Sequence, residues 1–202
     1  MQPYLIGIAG CSGAGKSELA RHLSKRLDSQ ASLVSLDCYY LPMDHLPFEV
    51  RCRTNFDHPD SLDWNLIRHD IDRLTRGEAI LEPVYLFDQH TRAKEMRRVQ
   101  PAEYVIIEGL FTLHDEHVRR MLDASIFVDA PDDVCLHRRI ARDTVERGRT
   151  RESVLEQYAR TVRPMAEQFV RPTQDYADLI VSGENPLEMS WAAVEQLLLQ
   201  AA

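Results

Sequence analysis

The octapeptide GCSGAGKS, Gly10 to Ser17, constrains this chain more than any other stretch. An apolar run, Tyr4–Ala9 (YLIGIA), leads into it. After it comes Ser17–Leu27, where Leu19, Ala20, Leu23 and Leu27 recur at helical spacing. A buried strand that breaks at a glycine-rich loop and restarts as a helix points a row of backbone N–H groups into one concavity. The positive end of the helix lies behind that concavity. G-x-x-x-x-G-K-S in this setting is a phosphate cradle. Gly10, Cys11, Ser12, Gly13, Ala14, Gly15, Lys16 and Ser17 are therefore expected to bind a nucleoside triphosphate. Lys16 would reach the β- and γ-phosphates, and the Ser17 hydroxyl would ligate Mg²⁺.

Further strands are expected at Ser32–Leu36, Tyr104–Ile107, Ser125–Val128 and Leu179–Val181. Helices are expected at Leu62–Thr75, from Pro131 as first residue to about Glu146, at Arg151–Phe169 and at Leu187–Leu199. Strands alternating with helices imply an α/β fold, a mostly parallel sheet covered on both faces to make three layers. Ala79–Tyr85 and the region near Val99 can pair as a small β-hairpin. The 202 residues suit a single domain, 1–202, with insertions at about 37–61 and 79–100. The first insertion is too long to be a mere connector.

The formal net charge of −8 argues against nucleic-acid binding, which calls for a basic surface. Cys11, Cys38, Cys52 and Cys135 are scattered and form no C-x-x-C pair, so reduced thiols in a cytoplasmic protein are the simplest expectation. The opening MQPYLIGIAG lacks a basic region, and its apolar run is too short for a signal peptide or a membrane span. No N-K-x-D tetrapeptide for guanine occurs, so a small-molecule kinase fits better than a GTPase switch.

Asp37 follows the second strand in SLDCYY, at the carboxyl end of the sheet where open α/β folds place ligands. A carboxylate there can take the proton of an attacking hydroxyl, hold Mg²⁺, or cap a loop. In NFDHPDSLD, Asp57, His58 and Asp60 crowd around Pro59, an arrangement that could also be a helix-start turn capped by Ser61. In EPVYLFDQHTR an aromatic run ends in an imidazole. Residues 138–151 hold six arginines, a planar-forked set suited to phosphate oxygens or, more blandly, a solvated helix face with Asp143 and Glu146 as partners.

Taken in order, GCSGAGKS, LDCYY, NFDHPDS, PVYLFDQHTR, IIEG, RRIARDTVERGR and QYARTVRPM resemble the uridine kinases of the P-loop uridine kinase and phosphoribulokinase group. The resemblance runs from about Tyr4 to Val181. It implies a P-loop kinase fold with a helical, arginine-rich lid at about 138–160. It implies phosphorylation of the 5′-hydroxyl of uridine and cytidine in pyrimidine salvage, with ATP or GTP as donor and Mg²⁺ as cofactor. Carried over residue by residue, it makes Asp37 the base and places Tyr40 in the nucleoside pocket. Asp57 would meet the ribose hydroxyls, and Tyr85, Phe87 and His90 would surround the pyrimidine. Arg139, Arg149 and Gln157 would close over the nucleoside. Arg142 and Arg147 would face the triphosphate, and Glu108, with Asp37 and Ser17, would support Mg²⁺. Relatives are often tetramers, so a homo-oligomer is implied.

The chain departs from that pattern after ADLIV, where Ser182-Gly183-Glu184-Asn185 replaces a Pro-Arg-Gly type turn. This bears on the contacts of the donor base, not on the phosphate chemistry. Leu86, where relatives often carry a polar or small residue, is expected to point away from the pocket. His22, His69, His114 and His117 are read as surface residues, and Trp64 and Trp191 as core or interface anchors. Two other readings stand beside the main one: a kinase for nicotinamide riboside or pantothenate, and a nucleotide-binding regulator without catalysis.

Overall fold

In the computed structural model, which describes residues 2–201, five strands form one parallel sheet in the order β2-β5-β1-β6-β7. They are β1 (Tyr4–Gly10), β2 (Ala31–Ser35), β5 (Tyr104–Glu108), β6 (Ala124–Asp129) and β7 (Leu179–Ser182). Parallel pairing needs a crossover between successive strands, and helices supply it. The first is α1 (Lys16–Leu27), followed by the single-turn α2 (Phe48–Arg51), α3 (Trp64–Thr75) and α4 (Glu116–Met121). Then come α5 (Asp132–Glu146), α6 (Arg151–Gln157), α7 (Arg163–Met165) and α8 (Leu187–Ala201). The three-layer α/β expectation holds.

The central strands read as continuous apolar runs because both faces are covered. Leu5, Ile6, Ile8, Val105, Ile106, Ile107, Ile126 and Phe127 are all buried. Truncating one such side chain to alanine costs about 2–5 kcal/mol. Helix starts are capped by short acceptors. The Asp63 carboxylate accepts from the Leu66 N–H at 3.2 Å, Asp115 from Val118 at 3.1 Å, and the Thr150 hydroxyl from Ser153 at 3.2 Å.

Strands β3 (Ile80–Leu86) and β4 (Thr91–Val99) make the hairpin, pairing from Ile80 with Val99 to Leu86 with Thr91. The register shifts between Pro83 and Tyr85, where proline has no N–H to give the ladder. Buried Glu82 docks the hairpin on the outer strand β2. It accepts the Ser35 N–H at 3.1 Å and the Arg97 guanidinium at 2.8 Å, and Arg97 also donates to the Leu33 carbonyl at 3.1 Å.

Four sequence expectations need correction. Pro131 precedes the first turn of α5 as its cap residue and is not its first helical residue. Ser61 caps nothing: its hydroxyl donates back to the carbonyls of His58 and Phe56, and Asp63 caps α3. The helix expected at Arg151–Phe169 is continuous but not uniformly α, since Tyr158–Val162 and Ala166–Val170 are π-helical on either side of α7. Pro164, lacking an N–H, breaks the i→i−4 ladder there, and the wider turns absorb the gap. His114 is no surface residue: it is half-buried, with ring centroids 6.0 Å from Trp64 and 5.8 Å from both Phe111 and Phe169.

Candidate active site

The phosphate loop sits at the carboxyl end of β1, flanked by the ends of β5 and β6. Gly13 has φ +87°, and a Cβ there would lie 2.3 Å from the Cys135 carbonyl oxygen, so only glycine lets the loop pack on α5. Two adjacent arginines of α5 grip the loop differently. Arg139 donates to the Ser12 hydroxyl at 2.8 Å, inside the cleft. Arg138 lies behind the loop and donates to the carbonyls of Gly13 (3.4 Å), Ala14 (3.2 Å) and Gly183 (3.0 Å). The departing turn 182–185 thus backs directly onto the loop. A hollow between it and Gly15, Glu18 and Arg138 opens beside the start of α1.

Lys16 is buried at the loop's end, and the Ser17 hydroxyl donates to Glu108 at 2.9 Å. The other oxygen of Glu108 accepts from the Ser35 hydroxyl at 2.7 Å. Burial raises the Glu108 carboxyl above its ordinary value, while Lys16 and the two hydroxyls act the other way. Asp37 follows β2 in the turn Leu36–Tyr39 and faces the same cleft. Among the described residues no group of three or more His, Cys, Asp or Glu side chains forms a metal cage. A hydroxyl beside carboxylates is an all-oxygen set. That suits Mg²⁺, which keeps water and takes few protein ligands alongside phosphate.

A cleft runs from Lys16 and Ser12 past Asp37 to an aromatic end. Tyr40 is the hub of that end, with ring centroids 5.3 Å from both Phe56 and Tyr85. Phe87 lies 5.2 Å from Tyr85, and the His90 imidazole stacks on Phe56 at 5.2 Å and 16°. His90 closes the hairpin with φ +52°, a strained conformation for a residue bearing Cβ. Burial, then the charges of Arg149, Arg147 and Arg51, hold its pKa below the ordinary value. The ring is therefore neutral near pH 7, with one nitrogen donating and one accepting. The Tyr85 hydroxyl is buried with no hydrogen-bond partner, an unmet polar group that a ligand could satisfy.

The lid closes this cleft from α5 and α6. Arg139 and Arg149 both donate to the Gln157 side-chain oxygen, Arg139 at 3.1 Å. Arg139 also lies 3.8 Å from the buried Asp57 carboxylate. The Arg147 guanidinium rests 4.9 Å over the Phe87 ring. Every expected catalytic and nucleoside-binding side chain thus lines one cleft: Asp37, Lys16, Tyr40, Asp57, Tyr85, Phe87, His90, Arg139, Arg142, Arg147, Arg149 and Gln157. Leu86 does not line it, whereas Phe56 and Leu110, neither foreseen, do.

Arg92 is the other residue that sequence reasoning passed over. Its guanidinium donates to the carbonyls of Tyr40 (2.7 Å) and Tyr39 (2.8 Å) and meets Asp63 at 3.3 Å. The neighbouring Thr91 hydroxyl accepts from the Met43 N–H at 3.1 Å. His90 thus faces the cleft while the next two residues fasten the hairpin to the loop that carries Asp37 and Tyr40.

A parallel sheet with a phosphate loop on its central strand, opposed by an arginine lid and an aromatic pocket, defines a P-loop kinase. Residues 5–186 match the phosphoribulokinase and uridine kinase family, and the chain belongs to that family. The uridine kinase of Tolumonas auensis is 43% identical over 204 residues, covering 96% of this chain and 95% of that one. The uridine kinase of Leuconostoc citreum is 46% identical over 190 residues, covering 92% and 90%. Among solved structures, the phosphoribulokinase from Rhodobacter spheroides superposes with a TM-score of 0.66 at 14% identity, covering 92% of this chain and 74% of that one. At that identity the likeness shows the fold alone.

Proposed function

We propose that this chain transfers the γ-phosphoryl group of ATP or GTP to the 5′-hydroxyl of uridine, and of cytidine, giving UMP or CMP. The observation that carries the reading is one cleft joining Lys16 and Ser12 to an aromatic pocket, with Asp37 along it. In this reading Asp37 takes the proton as the 5′-oxygen bonds to the γ-phosphorus. The bond from that phosphorus to the bridging oxygen breaks, and the nucleoside diphosphate leaves. Lys16 and the Gly10–Ser17 amides hold the phosphates, while Arg142 and Arg147 meet charge that spreads over the transferring group. Asp57 accepts from the ribose hydroxyls, with Arg139, Arg149 and Gln157 closing over the sugar. The base lies among Tyr40, Phe56, Tyr85 and Phe87, with neutral His90 at its edge. Ser17, Glu108 and Asp37 would hold Mg²⁺, which when bound supplies charge neutralisation on the β- and γ-phosphates.

The paired arginines also exclude water from the transferring group, which favours uridine over hydrolysis. The relatives' names support uridine as acceptor, the resemblance supports pyrimidine salvage by a homo-oligomer, and the scattered cysteines support a cytoplasmic setting. Among the described residues no helix is long and apolar enough to cross a membrane. The test is purified protein with MgATP or MgGTP across uridine, cytidine, other nucleosides, nicotinamide riboside and pantothenate. Product from uridine and cytidine is expected. No product from either would overturn the proposal.

A further inference from the structure

Four guanidiniums of the lid converge on one carboxylate. Asp143, on α5, has a fully buried side chain, and its Oδ1 accepts from Arg142 Nε at 2.9 Å and lies 2.8 Å from Arg142 Nη2. Arg139 Nε is 3.5 Å away, Arg147 Nη1 3.6 Å and Arg149 Nη1 3.8 Å. The main chain closes the same loop, the Arg149 N–H donating to the Asp143 carbonyl at 3.1 Å. One negative charge thus faces four positive ones. Without it the guanidiniums would repel one another in a site that burial has largely dried.

The bonds to this carboxylate are uneven. Arg142 meets Oδ1 alone, through both Nε and Nη2, whereas Asp143 Oδ2 and Arg139 Nε, both buried, have no hydrogen-bond partner within reach. Burial opposes ionisation of Asp143, but Arg142, Arg139 and Arg147 outweigh it and hold its pKa below the ordinary value. The carboxylate is therefore charged at neutral pH. All four arginines line the cleft, two expected on the nucleoside and two on the triphosphate. Among the described residues Asp143 is the carboxylate that lies within 4 Å of both pairs.

We infer that Asp143 is a positioning residue, fixing the four lid arginines as one rigid array against both substrates. It touches neither substrate. Its carboxylate trades ground-state attraction for geometry: it weakens the pull of the arginines on any polyphosphate while aiming them where charge develops in transfer. Asp143→Asn should therefore bind the donor as well or better, yet turn over more slowly. A purely structural aspartate would instead lower activity in step with the folded fraction.

The inference rests on the kinase reading, so its test includes a measurement that needs no acceptor. Thermal unfolding of wild type and Asp143→Asn would be followed with and without sodium tripolyphosphate, beside steady-state kinetics. Expected for the variant are kcat lower by about 100-fold, a donor KM equal or lower, and a larger tripolyphosphate-induced rise in Tm than wild type shows. Asp143→Glu keeps the charge and displaces it by one methylene. It should recover wild-type Tm but remain at least about tenfold slow. If Asp143→Asn does not fold, Asp143→Glu decides alone. Wild-type turnover in Asp143→Glu overturns the inference, as does a kcat loss below about threefold in Asp143→Asn or equal tripolyphosphate shifts in both proteins. An inactive wild type that tripolyphosphate still stabilises would count against the acceptor assignment and leave the array to the thermal comparison.

Discussion

The His90 imidazole lies parallel to the Phe56 ring, centroids 5.2 Å apart and planes 16° from coplanar direction. The stack joins the hairpin to the first insertion and fixes the imidazole edge toward the cleft. His90→Ala is expected to raise the nucleoside KM about tenfold, the worth of one lost hydrogen bond and part of a stack, and to change the uridine-to-cytidine ratio. Steady-state kinetics with both nucleosides checks this; an unchanged profile would remove His90 from the base contact.

The same residue sets a pH dependence. Its folded pKa is depressed by burial and neighbouring arginines, so the neutral form is the folded form near pH 7. Below the ordinary histidine value of 6.5 the unfolded chain takes up the proton more readily. This contribution to stability is therefore present above that value and lost as pH falls toward the folded pKa. Nucleoside KM should be flat from pH 7 to 8 in wild type and rise only on the acid side of the ordinary histidine value of 6.5. In His90→Gln that rise should shrink. A residual acid dependence would belong to Asp57, whose pKa burial raises despite Arg139.

Arg92 spans two main-chain carbonyls and a carboxylate with only part of its surface exposed. Arg92→Ala leaves the Tyr40 carbonyl without a donor, while the Tyr39 carbonyl keeps the Asp63 N–H and Asp63 keeps the Leu66 N–H, and it should cost about 1–3 kcal/mol of stability, with a higher nucleoside KM as Tyr40 shifts. Arg92→Lys should recover little, since an ammonium cannot reproduce the planar fork. Denaturant unfolding and uridine kinetics measure the two effects. Full recovery by lysine would show that charge alone matters.

A Cβ at Gly183 would lie 1.9 Å from the Ala14 carbonyl oxygen, a backbone atom of the phosphate loop. Gly183→Ala must therefore displace the loop or the turn. Its donor KM should rise about tenfold or more, with the nucleoside KM little changed. Isothermal titration with a non-hydrolysable triphosphate reads the donor side directly, and unchanged affinity would show that the turn moves freely.

How legible this site was in the sequence depended on how local its causes are. The phosphate loop could be read because strand, glycines and helix are contiguous and their geometry follows from neighbours. The hairpin and the burial of Trp191 were legible from apolar patterning. Arg92 was not, because its acceptors at Tyr39 and Tyr40 lie more than fifty residues away and are main-chain atoms that any residue provides. The division of labour between Arg138 and Arg139 was hidden too. Adjacent helical residues point about 100° apart, and only the packing of α5 decides which one faces the cleft. His114 sits in a polar stretch, yet Trp64 and Phe169, distant in the chain, close over it. Phe56, directly before the DHP triplet, carried a usable signal: an aromatic beside a ligand-facing carboxylate.

Asp37, proposed as the base between the phosphate loop and the aromatic pocket, is the residue on which the kinase reading turns. The most direct measurement is kcat for uridine phosphorylation by Asp37→Asn, beside the affinity of the same variant for MgATP. The expected result is turnover lower by about 10²–10⁴ with donor affinity within a few-fold of wild type. Turnover within tenfold of wild type would contradict it.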